Sequence, residues 1–467
     1  MFIITTPTIL QPTLATTAIN LSANTTTATT TYTKNNTFTL IPSNQSSTSL
    51  ADKTNVTLRG HLTDLGAPGR WKELLQPALD ELSRRHPDMN IQIEYTDSLY
   101  NETRDIILDS LSSGDSLDIV SLGDIWLGEF AELGLLSNLT AQAEQWGKLS
   151  DLYEANLDGS VYNNTIYGLW LWTDVRGMWY WKDMLQEAGV DPESLKTWDG
   201  YISAAVKLND FFEEEDNNVI QGVHLTGASH DLDLWYPYLW MLGGEILELR
   251  EGHPTKDVYW FPSYNSSEGV RAMEFLKRQV DAGIEPQERQ LEKAFKNKNF
   301  SVMLADSAMP GEFPKESWPT LEQELGFIPM FPVPNQTIQT STMMGGWEVA
   351  IPSTSQNSDL AWELITIMAQ PEILTPFLQE YGYLPTQKVI GEGPLSEPLK
   401  ESVPFFEEMV SLIPYGRSRP NIPEYPEIAE HVTQAIRQVY NGSASPQDAL
   451  NTAAAKSADS LGWKMPQ

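Results

Sequence analysis

Trp71, Leu74, Leu75, Ala78, Leu79 and Leu82 recur at helical spacing, which predicts an amphipathic helix with one apolar stripe. Two runs flank it, Val56-Thr57-Leu58-Arg59-Gly60 and Ile91-Gln92-Ile93-Glu94-Tyr95, and both read as strands, the second by strict alternation. The order is strand, helix, strand. Ile106, Ile107 and Leu111 mark a second helix, and Leu117-Asp118-Ile119-Val120-Ser121-Leu122 reads as a strand apolar on both faces, as burial in a parallel sheet requires. The sheet is therefore expected to be mainly parallel. Helical patterns then cover 182–210, 235–247 and 267–282, and strands return around Ser301–Leu304, Gly326–Ile328 and Trp347–Ile351. Helices close the chain after Leu360, and no internal repeat is visible.

Residues 1–51 break this pattern. They carry a single charge, Lys34, and are dominated by Thr, Asn and Ser, so they cannot bury enough apolar surface to offset chain entropy. A disordered stalk is expected there, with one alternative: Phe2-Ile3-Ile4 and Thr37-Phe38-Thr39-Leu40-Ile41 are β-prone and could dock on a lobe edge or a neighbouring subunit. An intact signal peptide is not expected at the start, since a positive n-region is missing and Pro7 and Pro12 interrupt the apolar residues.

The chain has 467 residues, a length that fits two to three domains, and 41% hydrophobic residues, which argues for a globular body. A net charge of −33 repels phosphate backbones and anionic lipid heads, so nucleic acid and membrane-surface binding are not expected. Zero cysteines exclude disulfides and thiolate metal sites, and the six histidines form no HExxH pattern, so neither metal nor cofactor is expected. Compartment is read instead from Asn20, Asn24, Asn35, Asn44, Asn55, Asn101, Asn138, Asn163, Asn265, Asn299, Asn335 and Asn441, each two residues before Ser or Thr. Chance would supply about three such sequons, so they point to N-glycosylation at a cell surface.

Three blocks carry a family resemblance. Leu117 to Val120 with Asp124, Trp126 and Phe130 to Leu139 form the first, and Ile166 to Leu169 with Asp174, Trp179 to Leu185, Ala188 to Val190 and Thr197 to Asp199 form the second. Gly345 to Ile351 and Arg419, Pro420, Pro423 and Tyr425 form the third. In order and spacing they resemble family 1 extracellular solute-binding proteins of ABC importers, the maltose- and trehalose-binding type, over about residues 56–460. The resemblance implies an α/β, two-lobed periplasmic-binding-protein-like fold with ligand in the cleft between lobes. Expected boundaries are 52–173 with 307–354 for the N-lobe and 174–306 with 355–467 for the C-lobe, with crossings near Trp172–Val175, Met303–Met309 and Pro352–Asn357.

Independently, a strand over 168–176 would place Trp170, Trp172, Asp174 and Arg176 on one face. Flat rings beside a carboxylate suit a pyranose, whose C–H face stacks on indole while its hydroxyls bind charged groups. A lone Trp is otherwise a core residue. The resemblance carries the family's sugar-contacting aspartate onto Asp124, its acidic residue at the first crossing onto Asp174, and a ligand-binding arginine of some relatives onto Arg104. Trp347, after Gly345-Gly346 and before Glu348, is a candidate stacking platform, Arg419 a candidate fork, and Trp235 and Tyr236 further candidates. Asp306 completes the set, in a stretch where Met309 stands in place of the aromatic residue of relatives. The loop Thr63–Gly69 is short and lacks the glutamate that some relatives use.

The expected role is the extracytoplasmic, non-enzymatic substrate-binding component of an ABC importer, a monomer delivering a carbohydrate to a permease driven by a separate ATPase. A surface glycoprotein with a structural or adhesive role, or an extracellular glycoside hydrolase, is the alternative; a hydrolase needs two placed carboxylates, and no motif selects a pair.

Overall fold

The computed structural model describes residues 36–43, 53–123, 125–213, 232, 235–251, 258–284, 295–299, 301–329, 332–335 and 339–463. Asp124, the sequons at Asn20, Asn24, Asn35 and Asn44, and Phe2-Ile3-Ile4 lie outside them. The opening unit forms as the pattern predicts. β2 (Thr54–Thr63) and β3 (Met89–Ser98) pair in parallel across α1 (Lys72–Arg85), and Leu74, Leu75, Ala78, Leu79 and Leu82 are fully buried beneath it. Each of the four leucines contributes about 1.5–3 kcal/mol by leaving water. Glu73 in the first turn of α1 and Arg84 and Arg85 in its last complement the helix dipole.

α2 (Tyr100–Ser112) leads to β4 (Ile119–Gly123), which pairs in parallel with β2, and α3 (Leu127–Glu132) follows. Parallel pairing goes little further. β5 (Val161–Tyr162) and β6 (Thr165–Ile166) form a hairpin whose turn residues, Asn163 and Asn164, both have positive φ, the geometry of a two-residue type I′ turn. β7 (Gly168–Trp181) then crosses the molecule, and β8 (Leu247–Glu251) and β9 (Val258–Pro262) form a second hairpin. β10 (Val302–Asp306) and β11 (Leu325–Ile328) pair antiparallel with the second half of β7, and β12 (Thr342–Ala350) pairs antiparallel with its first half. The short strands β13 (Leu384–Pro385) and β14 (Gly416–Arg417) join β7 and β12. The result is one ten-stranded mixed sheet, with parallel pairs limited to β2 with β3 and β4 and to β12 with β14.

The stalk reading stops short of β1 (Asn36–Leu40). These residues form an edge strand antiparallel to β3, with Asn36 opposite Asp97 and Leu40 opposite Ile93. Phe38 stacks on Tyr95 at 4.8 Å and Leu40 is buried, so apolar burial within five residues outweighs the polar composition around them. Helical periodicity also overran in two places. Residues 182–210 hold Lys182–Glu187 and Trp198–Glu213 with a 3-10 turn between, and the helix after Trp235 ends at Met241, before β8. The segment after 355 opens with helices Ser358–Met368 and Pro371–Tyr381, which pack against α1.

Candidate ligand-binding cleft

β7 and β12 run antiparallel through the centre, with Asp174 opposite Gly345, Thr173 opposite Gly346 and Trp172 opposite Trp347. A bulge between Trp347 and Glu348 shifts the register and re-aims the side chains that follow. Gly345 leaves room for the ion pair of Asp174 with Arg176, since a Cβ there would lie 2.8 Å from Arg176 Nη1 and 2.9 Å from Asp174 Oδ1. Gly346 has φ +146°, and a Cβ on it would come 2.4 Å from the Trp172 carbonyl oxygen. Only glycine lets the two strands approach this closely.

The period-two face of β7 turns its tryptophans inward. Trp170 and Trp172 are each 2% exposed, and Trp172 stacks on Tyr383 at 5.5 Å and packs on Trp71 and Phe377. Trp172 is thus a core residue rather than an open platform. The Tyr383 hydroxyl is pushed up to about 12, mainly by burial, with Arg70 opposing and the charges of Asp306 and Asp174 adding to the rise. Those groups therefore share one polar neighbourhood at the crossing. Asp306 lies opposite Arg176; its carboxylate accepts from the Ala308 amide at 2.9 Å and its carbonyl from Trp179 Nε1 at 3.0 Å.

Trp347 is half-buried and meets Tyr100 at 5.5 Å and Trp126 at 6.0 Å, while Tyr100 and Trp126 lie 5.1 Å apart. This three-ring cluster gathers α2, the start of α3 and β12, and Trp126 stands two residues after Asp124 in the chain. Arg104, one turn along α2, has its fork on Glu129, with Nε at 2.9 Å and Nη2 at 2.5 Å from the carboxylate oxygens, and also meets Asp105. Its guanidinium is engaged within the protein.

A cavity of about 960 Å³ has Tyr153, Tyr162, Trp240, Trp260, Arg417 and Arg419 in its wall. Arg417 donates to both oxygens of Glu245, at 2.6 and 3.2 Å, and its guanidinium lies 4.9 Å over the Trp240 ring. The pair fixes both the ring and the charge. Asp158 also lines the wall, and burial, with Glu154 nearby, holds its carboxyl above the ordinary range. Asn421 closes one end by accepting from the Gly128 amide at 2.6 Å and donating to the carbonyls of Gly159 and Val161.

Of the residues proposed from sequence, Arg419 lines the cavity, while Asp174, Asp306, Gly346 and Trp347 lie on the paired strands β7, β10 and β12 and are not among its lining residues. Trp235 and Tyr236 are fully buried, with the Tyr425 hydroxyl 3.3 Å from that of Tyr236, and belong to the core. Glu348 is fully buried against Gly168, where a Cβ would lie 2.5 Å from its Oε2. Sequence reasoning missed Tyr153, Trp240, Trp260 and Arg417. Arg417-Ser418-Arg419 alternates two cations by strand spacing, a signal that was there to read; nothing in the local pattern distinguishes Trp240 or Trp260 from a core ring.

A family model described as bacterial extracellular solute-binding protein matches residues 78–403. A binding protein of Brucella abortus (strain 2308) is 25% identical over 364 residues, covering 75% of this chain and 82% of the relative. The mannitol-binding protein of Pseudomonas aeruginosa is 22% identical over 281 residues, 59% of this chain and 61% of its own. Among solved structures, an ABC transporter solute-binding protein from Thermotoga lettingae with bound α-D-tagatose superposes with a TM-score of 0.71 at 22% identity, over 88% of this chain and 100% of that one. The two-lobed fold is shared with that protein.

Proposed function

The chain belongs to the bacterial extracellular solute-binding protein family, and from that premise we propose that it is the extracytoplasmic substrate-binding component of an ABC importer, taking a sugar or oligosaccharide and handing it to a permease with a separate ATPase. The observation that carries this reading is the cavity of about 960 Å³ whose wall combines four aromatic side chains with Arg417 and Arg419. Aromatic walls with a few directional charged groups suit a pyranose or polyol, and the volume lies within the usual range for small-molecule sites. Relatives that bind mannitol and tagatose support the same ligand class. Asp174 and Asp124 act as hydroxyl acceptors, and Trp347 supplies apolar surface backed by Tyr100 and the buried Trp126.

Two lobes close over the ligand because contacts to both exist only in the closed state, which shifts the population toward it. The protein works as a monomer at the cell surface, without turnover. N-glycans on its sequons fit that location: the side chains of Asn55, Asn138, Asn163, Asn299, Asn335 and Asn441 are exposed, and that of Asn265 is half-buried. Residues before β1 serve as a spacer.

Thermal-shift and calorimetric screening of monosaccharides, polyols and oligosaccharides tests the assignment. The expected result is a rise in melting temperature with one ligand group and no change in the sugar afterwards. Cleavage of the ligand would replace the importer reading with a hydrolase, and an inert protein across the panel would favour the structural glycoprotein.

A further inference from the structure

Seven sequon asparagines have described side chains, Asn55, Asn138, Asn163, Asn265, Asn299, Asn335 and Asn441, and among these Asn163 lines the cavity. Asn163 stands at the tip of the β5–β6 hairpin with φ 47°, followed by Asn164 with φ 58°, so a two-residue turn holds its side chain out from the fold. It is exposed, as an enzyme that attaches a glycan to the side-chain amide requires. The Thr165 hydroxyl, the second element of the sequon, lies 3.4 Å from the Asn163 carbonyl oxygen in the same turn. The hairpin is anchored: Tyr162 donates to Glu132 at 2.8 Å, and the Val161 carbonyl accepts from Asn421 at 3.1 Å.

We propose that Asn163 carries an N-glycan at the mouth of the solute cavity and that this glycan sets the size of ligand admitted. This rests on reading the sequons as glycan acceptors and the cavity as the solute site. A glycan rooted on a cavity wall cannot diffuse away, so its sugars stand at high effective concentration before a site built for sugars. It obstructs long ligands that must project through the mouth and competes for the aromatic wall, which includes Trp240 and Trp260. A ligand that fits wholly inside meets less obstruction. The other six sequon asparagines with described side chains do not line the cavity.

The experiment uses the full chain isolated from its own cells, in parent form and as Thr165→Ala, which destroys the sequon and keeps Asn163. Asn163→Gln is a second variant, and Asn441→Gln a control remote from the cavity. Glycopeptide mass spectrometry is expected to find a glycan on Asn163 in the parent and none in either variant at that sequon. Calorimetry with sugars of one to seven units is expected to show severalfold tighter binding of the longer members in both variants, unchanged binding of the shortest, and no effect of Asn441→Gln. An unmodified Asn163 in the parent overturns the proposal, as does an occupied Asn163 whose removal leaves every affinity unchanged. A parent and variants that all bind no sugar, with Asn163 occupied, would overturn the solute-binding assignment and with it the filter, while leaving the glycan itself established.

Discussion

Single side chains here do two separable jobs, packing and recognition, and the two can be told apart by experiment. Trp347 is half-buried among Tyr100 and Trp126, so Trp347→Ala should abolish sugar binding while lowering the melting temperature by only a few degrees. Calorimetry beside a melting curve checks it, and parental affinity in the variant would refute the assignment. Asp174→Asn keeps the shape but weakens a charged partner, with an expected loss of about 1–3 kcal/mol in binding. His61 belongs to packing alone. Its ring nitrogens lie 2.7 Å from the Thr96 hydroxyl and 2.8 Å from that of Ser98, and burial lowers its pKa to about 4. The unfolded chain takes up a proton near pH 6.5 and the folded one only near 4, so this imidazole is neutral for stability above pH 6.5. As pH falls from 6.5 to 4 it should remove up to about 3 kcal/mol. Denaturant titrations across that window should show the loss in the parent and a shallower slope in His61→Asn.

Among elements, β1 gives the sharpest test, because its five residues lie inside a stretch whose composition argues for disorder. A chain starting at Asn35 should melt like the parent. One starting at Ala51 loses Phe38 from its stack on Tyr95 and exposes the edge of β3, so its melting temperature should fall by several degrees with ligand affinity kept. Equal melting of both truncations would make β1 dispensable. The contrast also shows what the sequence could carry. Helix α1 and strands β2 to β4 were legible because each satisfies its own period and buries what that period predicts. β1 was legible only as the less favoured alternative, since its reward is a ring on another strand. The crossing was legible at Gly345-Gly346-Trp347 and Asp174. The inward turn of Trp172 was not, because alternation separates two faces without saying which one meets Tyr383 and Phe377. The cavity wall was least legible, being assembled from residues 153–164, 240–260 and 388–422, whose proximity exists only after folding.

At the scale of the molecule, the charge of −33 on 467 residues means that the folded state works against its own repulsion at low salt. Raising sodium chloride from about 10 to 150 mM shortens the screening length from roughly 30 to 8 Å, and the melting temperature should rise with it. A flat or falling response would mean that acidic groups are offset locally by pairs such as Arg104–Glu129. Strand β7 imposes a different limit. For most of its 14 residues it is held by hydrogen bonds, to β12 and β13 in the first half and to β10 and β11 in the second. At this crossing the halves are joined by a laced ribbon, with no slack loop in which to swing. Such a ribbon can be wound along its length, so twisting of β7 should accompany any relative motion of its two ends, as in a torsion bar.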